Sequence, residues 1–527
     1  MPYDKNNDRP DFIQDPGEIP SYIIKGTYIF PPDGYDSGIV NRFPQLGIVG
    51  SDGQAVSSSS SSSSPVDTSS SSSSSSSPVD LSSSSSSSSA QVVDSSSSSS
   101  SAGLVDSSSS SSSYNPPTSG ADDEGFLARA PGGGAVEVPS GSNQSTVDAA
   151  LATGNDVLFE RGGTYANITL GDLGGGNKLI GTYGTGGRPL FKTGGTNFIS
   201  TSFSDTRDNV QIVGLRIYAN TRDPNSADYV SGSTTETGIR WFSQSDNLLI
   251  EDCEISYFKD AIVLQANNSS YNITNSRINR NIIMFQYAPE DSIGHSQGMY
   301  ITRTTGTIVT ENAFTHNGHN DLVAGAERVK FNHNIYCSTA NDPIIIQGNY
   351  LDRGASHGVQ LRPGGAIIDN LITECAYGCF AIQTNSVVER NVVMYGDDIT
   401  TETNPGGGGI ESFSINTLTL NDNTVIKRQS VGTKRGIDVS PANISYDGNV
   451  VYQWSNSTGE GIRISGANVL SAGTNYTFEN PSQVVDSTDE VSPAEHNYMV
   501  TRGIGEWAVA NSPKEIAARI RASFQPA

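Results

Sequence analysis

The chain has 527 residues, 35% of them hydrophobic, and a formal charge of −24, so it can bury a large core but lacks the basic surface that holds nucleic acid. The same acidity repels polyanions at long range, so a uronate-rich or sulfated glycan would need local arginines or a bound metal to offset the field. No apolar run approaches the roughly 18 residues that span a bilayer, and the start, MPYDKNNDRPDF, has neither the basic nor the apolar region of a signal peptide.

Residues 1–55 are rich in Pro, Gly and aromatic side chains and are expected to form an attachment or capping module. Residues 56–119 are serine runs broken by PVDT, PVDL, QVVD and GLVD. They bury almost nothing apolar, which predicts a disordered, extended spacer. From about 120 the pattern changes to short apolar strands divided by Gly turns, as in GNDVLFERGGTYANITL and KLIGTYGTGGRPLF. A repeat follows. One register, Gly-apolar-x-apolar, recurs at Gly238, Ala261, Gly298, Asn334, Gly358, Gly378, Gly409, Gly436 and Gly461. A second, apolar-x-x-Asn-x-apolar, recurs at Asn312, Asn349, Asn370, Asn391, Asn423 and Asn449, with Leu215, Cys253 and Ser276 assigned to the same slot earlier. Each first-register position is followed by the second after 12 to 15 residues.

Such alternation predicts an all-β solenoid, a parallel β-helix over 120–470, in which each repeat is one coil and equivalent strands stack at about 4.8 Å. Alternate residues, such as Ile239/Trp241, Met299/Ile301, Val359/Leu361 and Ile462/Ile464, should point inward. The repeated Asn is expected at a tight turn, in left-handed backbone, with its amide bonded to its stacked neighbours. Residues 471–527 leave the repeat. Ser512-Pro513-Lys514-Glu515 reads as the start of a short helix with Ile516, Ile520 and Phe524 on one face. It is expected as a cap on the open end of the solenoid, with an oligomer contact as the alternative. The four cysteines read as buried thiols, with a Cys375–Cys379 bridge left open.

Over roughly 125–470 this pattern resembles the pectate-lyase-like superfamily of right-handed parallel β-helices, and GNDVLFERGGTY…YGTGGRPLF resembles the first coil of many such carbohydrate-active proteins. An N-terminal module, a spacer and a β-helix together also resemble bacteriophage tailspikes. That resemblance implies a homotrimer on a virion or otherwise extracellular, attached to other phage tail proteins through 1–55, which binds and cleaves a bacterial surface polysaccharide. A secreted polysaccharide lyase or glycoside hydrolase, and a non-catalytic adhesin or structural fibre, are the competing readings.

Five of the six histidines, His295, His316, His319, His333 and His357, fall in one window. Long repeats there, after Ser276 and after Asn312, predict two loops at the mouth of a groove. Glu290, Asp291 and His295 sit on the first loop; His316, His319, Asp321, Glu327 and Arg328 sit on the second. Residues two beyond the first-register mark should face outward and stack: Arg240, Val263, Tyr300, Tyr336, Gln360 and Phe380. His333 and His357 immediately precede the mark and should be neighbours, with Arg362 on the same face. His333, His357, Tyr300, Tyr336, Arg362 and Asp321 are therefore the expected catalytic set, with His295, His319, Arg240, Gln360 and Phe380 as the glycan contacts. Three chemistries stay open. A neutral His or a Tyr abstracts a proton beside a uronate carboxylate that Arg362 or a cation neutralises. Two carboxylates, from Asp321, Glu327, Glu290 and Asp291, hydrolyse the bond. Or His316-x-x-His319-x-Asp321 holds a divalent cation such as calcium.

Overall fold

The computed structural model describes residues 22–24, 27–29 and 125–527, apart from 172, 234–236, 268–272, 289–294, 383–384, 397, 400–406 and 429–433. The serine spacer, nearly all of the 1–55 module, and Glu290 and Asp291 lie outside the described residues. Within the first unit, Tyr22–Ile24 and Thr27–Ile29 pair antiparallel.

The second unit is a parallel β-helix. Three long sheets run along it: sheet 1, ten strands from Ile199–Ser200 to Ile462–Ile464; sheet 2, thirteen strands from Val136–Val138 to Asn468–Ala472; and sheet 3, twelve strands from Thr164–Ala166 to Tyr476–Phe478. One coil shows the plan: His357–Leu361 in sheet 1, Gly365–Ile368 in sheet 2, Leu371–Thr373 in sheet 3, then Tyr377–Ile382 back in sheet 1. Each strand pairs in parallel with its counterpart one coil away. Ile239, Trp241, Met299, Ile301, Val359 and Leu361 are fully buried in one continuous core, and Ile462 and Ile464 are packed against its end.

The first register is realised at all nine marks, because the strands that follow them pair mark for mark. At the seven marks that are glycine, crowding explains the residue, whereas Ala261 and Asn334 fill the other two. A Cβ on Gly378 would stand 2.3 Å from the Gly409 carbonyl, and one on Gly298 2.5 Å from that of Asn334.

The second register differs in two ways. First, the rung between Cys253 and Asn312 belongs to Asn281, not Ser276: Glu254 pairs with Ile282, and Ile282 with Ala313. Ile278-x-x-Asn281-x-Ile283 fits the template that Ser276 does not. Second, the asparagine is not the left-handed residue. That conformation belongs to the residue before it, with φ near 55° at Arg280, Glu311, Asp369, Arg390 and Asp422. The asparagine itself turns inward and builds a ladder. Side-chain amides run Asn281→Asn312→Asn349→Asn370→Asn391→Asn423→Asn449→Asn475, each Nδ2 to the next Oδ1 at 2.9–3.0 Å. The second hydrogen of each amide satisfies backbone carbonyls, as Asn370 does for Ile346 and Ile368. From Asn281 to Asn449 every side-chain nitrogen and oxygen of the ladder is thereby paired, which is the condition for burying amides in a core.

At the N-terminal end, α1 (Gln144–Ala152) is capped by Asn143, whose side chain accepts from Thr146 N. It buries Val147, Ala150 and Leu151 into the core beside Val136–Val138, the outermost strand of sheet 2. The C-terminal helices α2 (Pro493–Thr501) and α3 (Pro513–Ser523) behave differently. Ser512 caps α3 by accepting from Glu515 N, and Ile516, Ile520 and Phe524 form its buried face, as the pattern indicates. That face lies along the flank of sheet 3, against Leu371–Thr373 and Val392–Met394, with α2 against Ile282–Met284 and Ala313–Thr315. The final sheet 2 strand, Asn468–Ala472, stays exposed along its length. The four cysteines are free and buried.

Candidate functional site

Sheet 1 carries the site. Its outward row, read by strand pairing, runs Arg240, Val263, Tyr300, Tyr336, Gln360, Phe380, Glu411, Asp438, Arg463. Tyr300 and Tyr336 stack at 5.5 Å between ring centroids. Arg240 binds the Ser200 hydroxyl of the preceding strand.

A second column stands beside the row, from the position before each mark: Gln297, His333, His357 and Tyr377. The rings are in contact, His333 to His357 at 4.9 Å and His357 to Tyr377 at 4.4 Å, nearly parallel. They also touch the row, His333 against Tyr336 at 5.2 Å and His357 against Phe380 at 5.4 Å. Both imidazoles are buried. Burial is the main reason that His333 titrates well below its ordinary value and His357 at about 3, with the Arg362 charge acting in the same direction. Each Nδ1 has a partner, Gln297 Oε1 at 2.9 Å and Ser356 Oγ at 2.7 Å. His333 Nε2 is buried and has none.

In the next coil the column meets Gly408. A Cβ there would lie 2.4 Å from Glu411 Oε1, so the missing side chain leaves the space into which Glu411 folds its carboxyl. Burial, aided by the Asp438 charge, raises Glu411 above the ordinary carboxyl range, against the pull of Lys434 at 3.8 Å. Asp438, one strand further on, is the opposite case. Arg463 grips both its oxygens, Nε to Oδ1 and Nη2 to Oδ2 at 2.7 Å each, and Arg435 approaches Oδ2 at 3.5 Å. A bidentate guanidinium is the strong form of carboxylate hydrogen bonding. Two adjacent carboxyls are thus held in unlike surroundings, one desolvated beside a glycine and one gripped by an arginine fork.

The expected residues divide accordingly. His333, His357, Tyr300, Tyr336, Gln360, Phe380 and Arg362 share one wall; Arg362 lies over the Tyr336 ring at 5.3 Å. His295 reaches its edge through Phe331, 5.0 Å away, whose backbone carbonyl accepts from Gln297. His316 instead stacks on Phe285 at the end of the sheet 3 strands, with His319 buried 6.3 Å from it. Asp321 and Glu327 are exposed on the loop, and no hydrogen bond or ion pair joins either to the row. Among the described residues no three His, Cys, Asp or Glu side chains are grouped so as to hold a metal ion. Glu411 and Asp438 are absent from the sequence expectation, although the arithmetic that identifies Phe380 reaches them one and two coils later: they stand two beyond Gly409 and Gly436.

The family model for the right-handed β-helix region matches residues 235–394, the coils that carry the histidine column and most of the row. Among solved structures, a lacto-N-biosidase of glycoside hydrolase family 136 from Eubacterium ramulus is similar at 11% identity and a TM-score of 0.34, over 62% of each chain. The Dettilon tailspike protein is similar at 15% identity and a TM-score of 0.27, over 65% of each chain. The matched region therefore spans less than two thirds of either relative. No curated protein matches the sequence. No helix among the described residues is long and apolar enough to cross a membrane.

Proposed function

We propose that the outer face of sheet 1 binds a polysaccharide and hydrolyses a glycosidic bond in it, with Glu411 as the proton donor and Asp438 as the partner carboxylate. The adjacent acid pair in unlike surroundings carries this reading. Hydrolysis of a glycoside needs one carboxyl that holds a proton for the departing oxygen and one that stays negative toward the anomeric carbon. Burial raises Glu411 toward the first role, and Asp438, gripped by the Arg463 fork, is assigned the second. The two are rooted on neighbouring strands whose backbones lie about 4.8 Å apart, within reach of the closely spaced carboxyls of a retaining mechanism. Water enters in the second half of that cycle, and its proton returns to Glu411. Tyr300 and Tyr336, one strand apart, and Phe380, two strands beyond Tyr336, offer flat apolar faces on which sugars can lie. The β-elimination alternative asks His333 to act as base; its unbonded nitrogen is buried, as Glu411 Oε1 is, and the two chemistries are separated by their products.

The serine tract would give this body reach from whatever residues 1–55 attach to, as in a tailspike-like, trimeric, extracellular or virion appendage. Mass measurement in solution tests the trimer. For the chemistry, a panel of bacterial polysaccharides is incubated with the full chain and with E411Q and D438N. New reducing ends without unsaturated uronate absorbance are expected from the parent chain, and each substitution should lower that rate about 10²–10⁴-fold, with E411Q leaving the melting temperature intact and D438N, which breaks the Arg463 fork, lowering it while the chain stays folded. Unaltered cleavage by E411Q, or ultraviolet absorbance that disappears in a His333→Asn/His357→Asn double variant, overturns the assignment.

A further inference from the structure

Arg362 has a chemical feature that the hydrolytic pair does not use. Its backbone is fixed: the amide donates to the Cys337 carbonyl at 3.2 Å, and the following Pro363-Gly364-Gly365 turn holds both glycines at positive φ. A residue before proline is held in extended backbone, so the side chain is aimed by the scaffold onto the Tyr336 ring. Yet the guanidinium has no carboxylate partner among the described residues, and its Nε is buried without a hydrogen bond. In a chain with 55 acidic side chains against 31 basic ones this is unusual. The charged arginines two coils or more further on, Arg435 and Arg463, are ion-paired. The imidazoles nearest Arg362 offer it no counter-charge, since a histidine ring is either neutral or cationic. A desolvated, unpaired donor costs free energy of its own, and a planar guanidinium fork matches an oxyanion on a ligand.

Resting on the hydrolytic reading above, we propose that Arg362 binds an anionic substituent on a sugar seated against Tyr336 and Tyr300, so that the substrate is an acidic polysaccharide whose charge is read away from the bond that is cleaved. From Tyr336 the row passes Gln360 and Phe380 before Glu411, three strand steps or about 14 Å. Arg362 is then a specificity residue: losing it should weaken binding and leave the bond-breaking step nearly untouched.

The test uses the full chain and matched oligosaccharides: uronate, sulfated and phosphorylated forms, and the carboxyl-reduced neutral counterpart of the uronate. An acidic form should bind at least about tenfold more tightly than its neutral partner, with the anion that binds identifying the source of charge. R362Q should abolish the preference and raise KM with kcat changed less than about twofold, while R362K retains part of it. Circular dichroism and melting of R362Q establish that it is folded. Equal binding of acidic and neutral forms, or a preference that survives in R362Q, overturns the role of Arg362 while leaving Glu411 and Asp438 in place. Failure of every glycan to bind or be cleaved overturns the hydrolytic reading itself.

Discussion

The asparagine ladder and the sheet 1 face are both columns of polar side chains running along the same solenoid, and they are built on opposite principles. In the ladder every donor meets an acceptor, so the amides act only on one another and on the backbone. On sheet 1 individual polar atoms are buried too, but His333 Nε2, Arg362 Nε and Glu411 Oε1 lack hydrogen-bond partners. Burial without satisfaction is costly, and it shifts proton affinities. A saturated column holds coils in register; an unsaturated one retains capacity to engage something from outside.

Substitutions should separate the two. Asn370→Ala takes the acceptor from two donors of Asn349 and removes the side-chain bonds to the Ile346 and Ile368 carbonyls and to Asn391 Oδ1, the last two keeping only the Gly348 and residue 370 backbone donors. A loss of about 3–5 kcal/mol is expected in denaturant unfolding, and a loss under about 1 kcal/mol would end the claim that saturation stabilises the stack. Gly378→Ala, beside both columns, drives a methyl against the Gly409 carbonyl and Val393; about 2–3 kcal/mol should be lost to overpacking, read as a lowered melting temperature. Acid should act next. His357 titrates at about 3 when folded and near 6.5 when unfolded, so the unfolded chain binds the extra proton. Its contribution is therefore complete above about pH 6.5 and declines below it, by about 2 kcal/mol at pH 5. A His357→Asn variant should show a correspondingly shallower stability profile between pH 7 and 5; identical slopes would show that the ring takes up its proton without penalty. Smallest is E411Q, which removes a carboxyl already inclined to be neutral and should move stability by less than about 1 kcal/mol although turnover collapses.

The glycine register was fully legible because crowding admits so few side chains at those marks that the residue type itself reports the coil. The asparagine register was legible wherever the template was filled, and misread at Ser276, where a coil with a long following loop made spacing a poor guide and Ile278-x-x-Asn281 was passed over. Strand pairing made the outward row predictable from Arg240 to Phe380, and nothing physical stopped the same count from reaching Glu411 and Asp438. What sequence could not supply was depth. Histidines in one window suggest a reactive cluster, but only coordinates show His333 and His357 stacked beneath the surface and His316 turned toward Phe285. The helix after Ser512 was equally readable as a helix, while its docking partner, the flank of sheet 3, lies more than a hundred residues away in the chain.

That docking has a consequence for biosynthesis. Arg502 bonds the carbonyls of Arg280 and Asn281, Arg188 reaches back to the carbonyl of Arg502, and Phe524 packs on Tyr452. The segment that seals this flank is translated after every strand it covers. A nascent solenoid can wind coil by coil as it leaves the ribosome, but it must keep a bare side until the final helices arrive, and a chain cut short near residue 480 would carry that adhesive surface permanently.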